Sequence, residues 1–160
     1  MRARTAARIV VAGLLGGLAG NGVLGALFTS PPIHALLYNP VLQSPLFLDI
    51  TPRRDVPVSV AGLVVLSVFP AWLFAVLTPS IPARTRLGKG IFWGFAIWLT
   101  FWLPQEWFIY NTLLGEPLLL NVLELVILLL GSLVEGIVIS YVLGRWNGSS
   151  GGYLEERGVP

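Results

Sequence analysis

No cysteine occurs among the 160 residues, so disulfides, thiolate catalysis, iron–sulfur ligation and cysteine zinc sites are excluded within them. Histidine is nearly absent as well. His34 alone cannot supply paired ligation to a haem held between helices. Charge is the third scarcity: 11% of residues are charged, against about 25% in a soluble domain, while 55% are hydrophobic and the mean hydropathy is +0.79. A surface so poor in charge is unsuited to water on every side, which points to an integral membrane protein. Lysine occurs once, and no basic stripe with interleaved aromatics is present, which argues against nucleic acid as a partner. The sequences G-x-S-x-G, H-E-x-x-H and the P-loop are missing too. No catalytic residue, cofactor or metal site is therefore expected.

What is present is a set of four apolar runs, at about 6–28, 56–77, 90–110 and 117–143. Each is close to the ~20 residues that cross roughly 30 Å of hydrocarbon as an α-helix. None alternates with period two, so barrel strands are excluded. The expected fold is all-α: a four-helix transmembrane bundle over 1–147, followed by a flexible polar tail at 148–160. With the N-terminus inside, eight basic residues fall on the inner side (Arg2, Arg4, Arg8, Arg84, Arg86, Lys89, Arg145, Arg157) and two, Arg53 and Arg54, on the outer. The positive-inside rule then puts both termini in the cytoplasm and the long loop between helices one and two outside. The opening MRARTAARIV would also serve a secretory signal. Its apolar stretch is long, though, and no A-x-A-like site follows, which favours a retained helix.

The outer loop reads SPPIHALLYNPVLQSPLFLDITPRRD. Five prolines, from Pro31 to Pro52, block a long helix there. Leu36, Leu37, Leu42, Leu46 and Phe47 give it enough apolar surface to lie on the membrane or cap the bundle. His34 reads as an exposed loop histidine, and Asp49 and Asp55 as solvated partners of Arg53 and Arg54.

Small residues recur at helical spacing. Gly13 and Gly17 form one pair in the first run, Gly16 and Gly20 another, and Ser132, Gly136, Ser140 and Gly144 repeat every fourth residue in the last. Such spacing lets backbones approach closely in lipid. It serves packing within the bundle or, in the sharper reading, a homo-oligomer built on Gly13–Gly20.

Three carboxylates fall inside the apolar runs, where an ionised group costs about 2.5 to 3.5 kcal/mol at a helix centre. Counting from the run ends at 1.5 Å per residue, Glu106 and Glu124 lie roughly 6 to 10 Å below the outer surface, and Asn21 near 12 Å. Three helices thus offer a polar group at similar depth, and Asn21, Glu106 and Glu124 form the candidate intramembrane polar site. Glu135 lies about three turns below Glu124 on nearly the same face, which makes Glu135, Ser132 and Gln105 secondary candidates. Pro104 has no N–H for the carbonyl of Thr100, so a bend is expected beside Glu106. Trp98 and Trp102, at four-residue spacing, should share a helix face with Glu106.

The segment LYNPVLQSPLFLDITP, just after a glycine-rich first helix, resembles small uncharacterised four-helix bacterial integral membrane proteins. Asn39, Pro40, Gln43 and Ser44 carry the resemblance, which implies the four-span topology and a bacterial inner membrane, with no catalytic residue attached. The lipid bilayer is the first expected partner, with a second copy or a membrane complex beside it. Three functional readings follow. The leading one is a structural or accessory membrane protein, or a subunit of a larger complex. The alternative is a proton- or cation-coupled transporter or channel component using its intramembrane Glu residues. A membrane enzyme acting on a lipidic substrate is the third.

Overall fold

The computed structural model describes residues 3–49, 51 and 55–148. Among these are six α-helices: α1 (Ala3–Phe28), α2 (Pro31–Leu37), α3 (Pro45–Asp49), α4 (Val56–Leu77), α5 (Arg86–Ile97) and α6 (Leu118–Gly148). The described residues form an all-α structure in which the stretches Arg4–Phe28, Val56–Ser80 and Leu118–Arg145 are each long and apolar enough to cross a membrane, the pattern of a multi-pass membrane protein. Beyond Gly148 the expected polar tail lies outside the described residues, as do Arg2, Arg53, Arg54 and Arg157. Asp55 does not act as a solvated ion-pair partner alone. Its carboxylate caps α4, accepting the Val58 N–H at 3.1 Å, because the first turn of a helix leaves such donors unpaired.

The third apolar run departs from the expected single α-helix. α5 stops at Ile97, and the chain continues through two π-helical segments, Trp98–Trp102 and Gln105–Leu113, joined by Leu103 and Pro104. The Leu103 N–H reaches the carbonyl of Trp98, five residues back, and Leu114 reaches Ile109 in the same way. Proline explains the change, since its ring presses on the carbonyl four residues earlier and offers it no hydrogen. A wider ladder spreads that misfit over several turns instead of concentrating it in one kink. The widening alters which side chains share a face. Trp98 turns to α6, donating its indole N–H to the Leu125 carbonyl at 2.8 Å, whereas Trp102 lines a cleft towards α4. The two tryptophans do not form a common wall with Glu106.

α6 sits at the centre, packing on α1 and on α5, and α4 packs on α1 beside α6, along Gly13 and Gly17. Glycine makes both central contacts possible. A Cβ on Gly90 would stand 2.6 Å from the Ile137 Cα and 3.0 Å from the Gly136 carbonyl oxygen. Gly136, Ser140 and Gly144 all lie against α5: the Ser140 hydroxyl donates to the Arg86 carbonyl at 2.7 Å, and the Arg86 side chain runs over Gly144. On α1 the two glycine pairs divide their work. Gly13 and Gly17 meet Ser67 and Val68 of α4, while Gly16 and Gly20 meet Glu135, Ile139 and Gly131 of α6. All four are therefore occupied within one chain.

Two apolar clusters mark the ends of the bundle. At the basic end Ile9, Phe74, Trp93, Ile139 and Leu143 bury together, and the Phe74 and Trp93 rings meet edge-on at 5.7 Å. At the loop end Leu37 packs on Leu120 and Ile127, so the loop between α1 and α4 caps the bundle through α2. His34 is exposed on α2, its ring 4.5 Å from that of Tyr38.

Candidate cation site

The loop end holds a knot of polar side chains that begins with a turn. After the π-helical run the chain reverses at Gly115, whose φ of 69° is left-handed and is reached without strain only by glycine. That reversal points Glu116 back into the bundle. Its backbone is held on both sides: its N–H donates to the Tyr110 carbonyl at 2.9 Å, and its carbonyl accepts from the Asn111 amide at 2.8 Å. The side chain ends up 2% exposed, and Glu106, supplied by the π-helical segment, is 4% exposed.

Asn121, in the first turn of α6, is wholly buried between them. Its Nδ2 donates to the Glu106 carbonyl at 2.7 Å and lies 3.4 Å from the Glu106 Oε2. A backbone carbonyl only accepts, so this bond fixes which way the amide faces. The Asn121 Oδ1 is thereby turned to the other side, where it has no hydrogen-bond partner. Glu124 follows one turn later on the same face, and carboxylate oxygens of Glu106, Glu116 and Glu124 all lie within 4.8 Å of one another.

The outer loop closes this cluster from outside. Gln43 donates through Nε2 to the Leu37 carbonyl, and the same nitrogen lies 3.5 Å from the Glu116 Oε1. The Ser44 hydroxyl donates to the Leu114 carbonyl at 2.6 Å. Gln43 and Ser44, two of the four residues that carried the resemblance, thus hold the loop against the turn that leads into α6. Two further buried oxygens have no partner, Glu116 Oε2 and Gln43 Oε1. Burial pushes the Glu116 carboxyl above its ordinary range, with the Gln43 and Asn121 amides opposing the shift.

Every inward-facing acceptor here is oxygen. Such a donor set suits a hard cation, calcium, magnesium or manganese, or protons shared among the carboxylates, and offers nothing to soft metals that prefer sulfur. Glu106, Glu116 and Glu124 would be the direct ligands. No cofactor of larger size fits between groups this close.

Comparisons with protein families, with curated proteins and with solved structures find no match to this chain.

Of the residues singled out in the sequence, Glu106 and Glu124 meet in this cluster. Asn21 does not join them. Its amide donates to the Gly17 carbonyl of its own helix at 2.8 Å, and the residue lines a separate cleft of about 820 Å³ between α4 and α5. Glu135 and Gln105 border that cleft too. Ser132 is buried in the α5–α6 contact, its hydroxyl unpaired. Depth along a helix is legible from residue counting, but direction around the axis is not, and that is why Asn21 and Glu124 part company. Glu116 and Asn121 were missed because neither lies in the middle of an apolar run. Asn121 precedes Glu124 by three residues, so it shares a helix face with it, and that spacing was the available signal.

Proposed function

We propose that this chain is a four-span membrane protein, with both termini in the cytoplasm of a bacterial inner membrane, that takes up a cation at its outer end. The fourth span in this reading is the α5 helix together with its π-helical continuation. The observation that carries it is the convergence of three carboxylates within 4.8 Å of one another, with Glu106 and Glu116 buried. Three charges within a few ångströms repel strongly at low dielectric, so the cluster calls for protons or a metal between its members. A site of this kind belongs to a transporter or channel component that binds its ion from the outer face.

The test is equilibrium binding of Mn²⁺ and Ca²⁺ to the purified protein, paired with ion flux in liposomes. Glu116→Gln and Glu124→Gln should each weaken metal binding about 10-fold or more, as the loss of a direct charged ligand does. Affinity should also rise with pH, because the ligands must lose protons to bind metal. Absence of binding to either metal, together with no proton uptake on acidification, would sink the proposal.

A second reading, an accessory subunit, draws on α4. Only 17% of its most apolar window is buried, against 39% for α6, and its outer face carries Val58, Val65, Phe69 and Trp72 to the surroundings. A partner helix seated there would survive gentle detergent extraction as a stable complex. A monodisperse single chain from native membranes would set that reading aside.

A further inference from the structure

At the end opposite the carboxylates lies a second cavity of about 440 Å³, bounded by the starts of α1 and α5 and the ends of α4 and α6. Arg84, Arg86 and Lys89 bring cationic side chains to its wall, and among the described lining residues there is no carboxylate. Lys89 is half-buried, and among the described residues its ammonium meets the Thr78 carbonyl, at 3.4 Å, and no carboxylate. Arg86 is placed deliberately: Ser140 pins its backbone, and the missing side chain at Gly144 gives its aliphatic stem a bed. The remaining walls are apolar and include Ile9, Phe74 and Leu143. Positive charge over an apolar floor, at the end of a bundle where the spans leave the membrane, matches one kind of ligand in particular. Its charged part is a phosphate and the rest of it is hydrocarbon.

We propose that this pocket binds the phosphate headgroup of an anionic lipid of the inner leaflet. Arginine forks and the lysine ammonium supply charge-assisted hydrogen bonds to the phosphate oxygens. Ile9, Phe74 and Leu143 lie against the glycerol and the first methylenes of the chains. A free phosphate would satisfy the cations and leave that apolar floor wetted, so the lipid is the better complement. This site is independent of the carboxylate cluster and rests on the proposed orientation, with both termini in the cytoplasm.

The experiment uses the full chain, delipidated in neutral detergent and offered equal amounts of phosphatidylglycerol and phosphatidylcholine, with retained lipid read by native mass spectrometry. Phosphatidylglycerol should be retained preferentially. Arg84→Gln and Lys89→Gln should each lower that preference about fivefold, the worth of one basic residue near an anionic surface. Arg145→Gln removes the same charge from the same end but outside the pocket, and it should leave the preference unchanged. Arg84 is exposed, so its variant folds even where the Lys89 change does not. Equal retention of both lipids, or an Arg145→Gln loss as large as that of Arg84→Gln, would overturn the proposal. Displacement of the lipid by millimolar inorganic phosphate would overturn it too, and assign the pocket to the free anion.

Discussion

Replacing Gly90 by alanine tests the central contact of the bundle. The added methyl would stand 2.6 Å from the Ile137 Cα, 3.0 Å from the Gly136 carbonyl oxygen and 3.1 Å from the Ile137 nitrogen. Ordinary contact begins near 3.4 Å, so the methyl is about 0.8 Å short of room against the nearest atom. All three obstacles are backbone, and no rotamer change can relieve them. Overpacking typically costs about 1 to 3 kcal/mol, and a clash that only helix displacement resolves belongs at the top of that range. Gly25 offers the control, since a Cβ there meets nothing within 4 Å. Gly25→Ala should be neutral or stabilising by up to about 1 kcal/mol, the helix preference of alanine over glycine. Gly131→Ala falls between the two, because its nearest obstacle is the tip of the Leu24 side chain at 2.5 Å, which can turn away. Reversible unfolding in mixed detergent micelles, followed by near-ultraviolet circular dichroism of the tryptophans, would rank the three. Coincident midpoints for Gly90→Ala and Gly25→Ala would refute the α5–α6 register and the argument drawn from it.

Other expectations are more local. Burial raises the Glu116 carboxyl, so the folded state prefers its protonated form: the stability it contributes is fully present below the ordinary carboxylate range and is lost as pH rises through the raised value. Unfolding midpoints measured across that range should slope accordingly, and Glu116→Gln should flatten the slope. Gly115→Ala should cost about 1 kcal/mol from its left-handed φ, with Gly115→Asn tolerated better, as thermal unfolding would report. Trp98→Phe removes the bond to the Leu125 carbonyl and should cost about 1 kcal/mol in the same micelle assay.

The membrane class and the positions of α1, α4 and α6 were legible because long apolar runs have few alternatives. The small-residue spacing was legible for a related reason: close helix approach admits hardly any side chain but glycine, alanine and serine. Gly13 with Gly17 and Gly16 with Gly20 serve two different neighbours, and spacing alone does not say which. Pro104 announced a disturbance in the third run without naming its form, since a kink and a widened ladder both accommodate a missing N–H. Once the ladder widens, residues four apart no longer stack, and the inferred Trp98–Trp102–Glu106 face dissolves. The carboxylate cluster was half visible. Glu106 and Glu124 could be placed at one level by counting, but Glu116 enters from a turn whose direction depends on the backbone at Gly115.

The central place of α6 bears on how the protein is made. Among the described helices α6 follows all the others in the chain, yet α1 and α5 both pack chiefly against it, and neither packs substantially against the other. When α1 and α4 have entered the bilayer they can pair through Gly13 and Gly17, but α5 has no seat until α6 follows. A ribosome paused before residue 118 would therefore leave α5 and its π-helical continuation, with Trp93 and Glu106 aboard, unattached in lipid and open to whatever insertion factor or chaperone waits there.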